Sequence, residues 1–169
     1  MPTDPEEEAR RRLDEWERGF VLPDLPYPPP PSNSLFLRDW LAERERAFPD
    51  WAASHGPADR WDFSADSIDA LAAVVSEATP TEELFRSPER ANFAENAAWY
   101  WGEVLRRARP SRWEHTPGEP DGHSPFVGYC WVQRLDVKAS YTPLLNLARM
   151  LKLRDRQLLG GLFQEWTSW

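Results

Sequence analysis

The fold turns on one stretch, Ser87-Pro88-Glu89-Arg90-Ala91-Asn92-Phe93-Ala94-Glu95-Asn96-Ala97-Ala98-Trp99-Tyr100-Trp101-Gly102-Glu103-Val104-Leu105-Arg106-Arg107-Ala108-Arg109-Pro110, and on Ser111-Arg112-Trp113-Glu114-His115 directly after it. Within it, Phe93, Ala97, Trp101, Val104, Leu105 and Ala108 recur at helical spacing and form one apolar stripe. Ser87-Pro88-Glu89 has helix-start chemistry and Pro110 closes the run, which predicts one strong helix between them. Past Pro110 the period changes. Arg112 to His115 reads as extended, and Thr116-Pro117-Gly118-Glu119-Pro120-Asp121-Gly122 is dense turn chemistry. Phe126 to Val137 reads as one or two strands, with Val127, Tyr129, Trp131 and Gln133 on one face and Cys130 and Val132 on the other. Helices flanking so few strands predict an α+β fold, rich in helix, with a small antiparallel sheet.

Working outward, Trp61-Asp62-Phe63 reads as a very short strand. Ser64 is expected to cap a helix with the stripe Ile68, Leu71, Ala72, Val75 and Ala78. Thr79-Pro80-Thr81-Glu82 opens a short helical turn through Leu84 and Phe85. Ser32, Asn33 and Ser34 offer caps for an earlier helix with Leu37, Trp40, Leu41 and Phe48 on its apolar face. Pro49 is expected to kink or restart that helix, and His55-Gly56-Pro57 to end it. Ser140 or Thr142 with Pro143 begins the last helix, with core positions Leu144, Leu147, Ala148 and Leu151. Gly160-Gly161 is expected to interrupt it before Leu162, Phe163, Trp166 and Trp169. Near the start, Asp4, Pro5 and Glu7 open an N-terminal helical arm with a narrow stripe of Ala9, Leu13, Trp16 and Phe20. Pro23 to Pro31 follows as a semi-rigid strap. The expected division is residues 1–31 as arm and strap, and 32–169 as a single α+β domain.

A chain of 169 residues can own a real core. One Cys excludes a disulfide framework and any multi-Cys metal site. No run approaches the ~18 apolar residues of a transmembrane helix, and the charged start has no apolar leader, so a cytoplasmic protein with no membrane partner is expected. The net charge of −8 is unevenly spread: residues 64–105 hold eight acids and two bases, residues 106–169 six acids and ten bases. The last third is therefore basic within an acidic chain.

Trp61-Asp62-Phe63-Ser64, Ser67-Ile68-Asp69-Ala70-Leu71, Trp99 to Arg107 and Arg112-Trp113 together resemble a group of uncharacterised actinobacterial proteins, from Trp61 to about Pro143. At the level of fold the chain is also similar to small bacterial toxin-immunity modules, and that resemblance implies action by binding rather than catalysis.

Several residues invite chemistry. Glu114, His115, Asp121 and His123 surround one turn and could serve a small hydrolase or a metal, although their spacing matches no standard zinc motif and exposed loop residues account for them. Cys130, in an apolar strand, reads as a small buried hydrophobe. Glu103 lies two positions from Trp101 and is expected to point away from the buried stripe, paired with Arg106 or Arg107. Arg106, Arg107, Arg109 and Arg112 form a basic patch that suits nucleic acid, but their place at a helix C-terminus explains them and the net charge opposes such a partner. Trp99 and Trp101 cannot share one helix face, so one of them or Tyr100 must face outward or meet another element. The expected interface comprises Trp16, Phe20, Tyr27, Trp99, Tyr100, Trp166 and Trp169. The expected function is a non-enzymatic, protein-binding module of immunity or adaptor type, with no cofactor and no metal. Its partner would be another protein, basic in character, and the arm could also join two copies as a homodimer.

Overall fold

The computed structural model describes residues 31–169. Helix α1 (Leu35–Ala53) leads through a 3-10 turn to α2 (Ser67–Ala78) and the short α3 (Glu82–Phe85). Helix α4 (Ala91–Ala108) follows, then strands β1 (Ser111–His115), β2 (Cys130–Arg134) and β3 (Ser140–Tyr141), and finally α5 (Pro143–Leu153) and α6 (Leu158–Ser168). The three strands form an antiparallel sheet in the order β1-β2-β3, with Ser111 opposite Arg134, His115 opposite Cys130, and Val132 opposite Tyr141. The α+β reading holds.

Helix α4 is the axis of the domain. Every residue from 96 to 105 is buried, because α1, α2, α5 and the sheet pack around it. Such a helix is enclosed on all sides rather than on one stripe. This resolves the two tryptophans. Trp99 and Tyr100 face α1, where Phe48 lies 5.1 Å and 5.3 Å from their rings. Trp101 faces α5, and its Nε1 donates to Asn146 Oδ1 at 3.0 Å. Leu71, Val75, Phe85, Leu105 and Leu147 complete the core at full burial. Each such aliphatic or Phe side chain contributes about 1.5–3 kcal/mol by transfer from water.

Four local expectations are corrected. Trp61-Asp62-Phe63 is a turn, not a strand: Phe63 has φ 62°, its N–H donates to Tyr100 Oη at 2.9 Å, and the Arg107 guanidinium lies 3.6 Å over its ring. Side-chain partners thus hold a backbone conformation that an aromatic residue rarely adopts. Ser64 does not cap α2; the helix starts at Ser67, whose N–H and Oγ both reach the Ser64 carbonyl. Pro49 lies inside α1, exposed between buried Phe48 and Trp51, and does not restart it. Gly160 and Gly161 lie inside α6. The break comes earlier, where Arg154 takes the left-handed conformation, its N–H bonds the Leu151 carbonyl, and Asp155 N–H bonds that of Met150. That pair of bonds is a Schellman ending, with Arg in the position usually given to Gly.

The predicted strand from Phe126 to Val137 shortens to five residues. Thr116 and Val127 form only an isolated bridge, and Gly128 turns the chain at φ 81°. At the C-terminal end of α6, the fully buried Arg134 bonds the carbonyls of Trp166 and Trp169 and pairs with Asp136 at 2.7 Å. Arg109 bonds the Thr167 carbonyl beside it. Two guanidinium groups therefore satisfy carbonyls that the helix end leaves without intrahelical donors.

Candidate binding cleft

The start of α1 is fastened to β1. Ser34 Oγ accepts from Leu37 N–H at 3.1 Å, capping α1, and hydrogen-bonds His115 Nδ1 at 3.0 Å. Ser32 N–H donates to Glu114 Oε2 at 3.1 Å. The first turn of α1 is thereby set over the sheet: Phe36 packs on the His115 ring at 4.4 Å, and Trp40 meets Trp113 edge-on at 5.3 Å. Between α1, α4, the loop entering β2 and the start of α5 opens a cleft of about 150 Å³. Phe36, Trp40, Trp113, Tyr129 and Leu144 line it, with Glu95 as its carboxylate. Phe36, in its lining, and Leu35, its neighbour in the chain, are 55% and 66% exposed, while most other large apolar side chains are covered.

Trp113 has a fixed seat. Its indole lies against the bare backbone of Gly102, where a Cβ would come within 2.1 Å of the ring. Its Nε1 donates to Glu103 Oε1 at 2.9 Å. Arg106 adds two donors to Glu103, both at 2.8 Å, and Arg107 pairs at 3.4 Å. Burial alone would raise the Glu103 carboxyl, but the bonds from Arg106 and Trp113 and the guanidinium charges outweigh it and hold the pKa below the ordinary value. The expected pairing with the arginines is present. The expected outward direction is not: Glu103 is buried, because Trp113 covers it from β1.

Glu95 is half-exposed, and burial pushes its carboxyl up against the opposing pull of Arg44. Arg44, almost wholly buried, lies 3.7 Å from Glu95 but 3.0 Å from Glu43, and its Nη1 donates to Asn92 Oδ1. The Cys130 thiol is pushed up to about 12 by burial and by the Glu95 charge, so it is no nucleophile near neutral pH.

The residues singled out from sequence fall in different places. Trp99, Tyr100 and Trp166 are core residues, with Trp166 donating from Nε1 to the Leu105 carbonyl; Trp169 is 52% exposed. Their burial leaves Trp169 as the one expected aromatic with an open ring among the described residues. Trp16, Phe20 and Tyr27 lie outside the described residues. Arg106 and Arg107 hold Glu103, Arg112 pairs with Glu114, and Arg109 bonds a helix-end carbonyl, so the basic patch is built into the fold. His115 is engaged by Ser34 and Phe36, and burial holds its imidazole below the ordinary value. Asp121 accepts from the backbone N–H groups of His123 and Ser124, which holds its carboxyl low. Among the described residues no group of three His, Cys, Asp or Glu could hold a metal ion.

Phe36, Tyr129 and Glu95 are site residues that the sequence reading passed over. The signal was present in Leu35-Phe36, two large apolar residues off the stripe marked by Leu37 and Leu41. No family model, no curated protein and no solved structure matches the chain. Among the described residues no helix is long and apolar enough to cross a membrane.

Proposed function

We propose that the chain is a non-enzymatic protein-binding module of the cytoplasm, of immunity or adaptor type, and that a partner seats on the cleft beside Phe36. The observation that carries this reading is the open apolar cleft with Phe36 exposed in its lining. Aromatic anchors in a partly formed pocket are the usual centres of protein interfaces. The charge of −8 favours a basic partner by electrostatic steering. The engagement of all four arginines of the basic patch by the chain itself speaks for a structural role there rather than a nucleic-acid contact. Trp16, Phe20 and Tyr27 are proposed to add contacts from the arm or to join two copies of the chain. Deleting residues 1–31 without effect on partner affinity or oligomeric state would remove that part of the reading.

A photo-cross-linker at position 36 identifies the partner in an extract of the source organism. With that partner purified, Phe36→Asp weakens binding by about tenfold or more, as loss of an interface anchor does. Leu153→Asp, at an exposed apolar residue of α5, leaves it unchanged. Equal affinity of Phe36→Asp and the wild type would overturn the proposal.

A further inference from the structure

Four aromatic side chains from three parts of the chain line the cleft: Phe36 and Trp40 from α1, Trp113 from β1, and Tyr129 from the loop before β2. Ring faces carry negative electrostatic potential and attract cations, the more so when partly desolvated. Glu95 adds a formal negative charge to the same lining. The neighbouring charges do not cancel it. Arg44 stands nearer Glu43 than Glu95, and the three side chains together carry one net negative charge. Arg86, at the Tyr129 hydroxyl, is paired with Glu82. The field of Glu95 also reaches the other wall, where it helps to raise the Cys130 thiol.

These features separate the classes of occupant. An anion meets repulsion from Glu95. A neutral apolar group buries that carboxylate further while giving it no new partner, which is unfavourable. A flexible alkyl stem ending in a compact cation matches both parts of the lining and suits a volume of about 150 Å³. We infer that the cleft receives the end of a lysine side chain from a protein partner, its stem against Phe36, Trp40 and Trp113 and its ammonium at Glu95. This rests on the protein-binding reading of the same cleft and names the residue type it recognises.

The test uses the full chain with ¹⁵N-labelled tryptophan and n-butylammonium chloride as the probe, with n-butanol as its neutral counterpart, at constant ionic strength. Butylammonium is expected to shift the Trp40 and Trp113 indole signals saturably, and to bind about fivefold or more tighter than butanol. Glu95→Gln is expected to reduce that preference severalfold, and Asp69→Asn, on the exposed face of α2, to preserve it. Equal binding of the two probes, unaltered by Glu95→Gln, overturns the lysine inference while leaving the apolar docking surface intact. No shift with either probe also overturns it. So does a Trp16→Ala variant that moves the Trp40 and Trp113 signals without ligand, since the arm would then be the occupant. The Phe36→Asp measurement with the cross-linked partner decides the protein-binding reading separately.

Discussion

Gly102→Ala adds one methyl group and should be strongly harmful. On helix propensity alone, replacing a mid-helix glycine with alanine stabilises by about 1 kcal/mol. In α4, however, the new Cβ would lie 2.1 Å from the Trp113 ring, inside any tolerable contact. The ring must move, and overpacking of this kind costs about 1–3 kcal/mol. Moving it also breaks the Nε1 bond to Glu103, and a hydrogen bond to a charged group is worth about 1.5–3 kcal/mol. Set against the propensity gain, the net loss is about 1.5–5 kcal/mol. Urea denaturation followed by tryptophan fluorescence measures it, provided the slope is unchanged. Gly161→Ala is the matched control. It lies within α6, with nothing within 4 Å of its Cβ position, and should gain about 0.5–1 kcal/mol. A Gly102→Ala protein as stable as the wild type, or more so, would refute the seating of Trp113 on bare backbone.

Three further outcomes are expected. Because the Glu103 carboxyl is held low in the folded state, its stabilisation is complete above the unfolded carboxyl range near ~4.3 and is lost as pH falls through the folded value. Glu103→Gln should therefore be less stable than the wild type at neutral pH, with the gap narrowing below about pH 4.5, read from denaturation midpoints across pH. Tyr100→Phe removes the acceptor for Phe63 N–H and the donor to Ser67 Oγ at 2.7 Å, and should cost about 1–3 kcal/mol by equilibrium unfolding. Arg134→Ala leaves the main-chain oxygens of Trp166 and Trp169 without this donor, and should cost about 1–3 kcal/mol, with hydrogen exchange rising first in α6.

The elements that sequence periodicity foretold are those whose burial is decided along one segment. Ile68, Leu71, Ala72 and Val75 line α2 as their spacing requires, and Leu147, Ala148 and Leu151 do the same on α5. Helix α4 was legible as a helix but not as the axis of the domain, because enclosure on every side depends on what α1, β1 and α5 bring to it. The polar Asn96, Gly102 and Glu103 disguise that enclosure. Phe63 and Arg154 stand in left-handed positions that composition does not announce, since distant side chains and helix-end carbonyls hold them there. The cleft was the least legible part. It joins residues 36, 95, 113, 129 and 144, and no local pattern brings those positions together.

The clasp of Arg134 on the end of α6 also sets an order of events during synthesis. Strand β2 carries a guanidinium whose carbonyl partners are residues 166 and 169, some thirty positions downstream, and the indole that roofs Leu105 arrives with the same segment. A nascent chain halted before Leu158 would leave Arg134 its Asp136 partner but not its acceptors at residues 166 and 169, and would leave the core without the fully buried Trp166. Native packing therefore waits until residues 158–169 are available to fold, and chains lacking them should be preferred substrates for proteolysis.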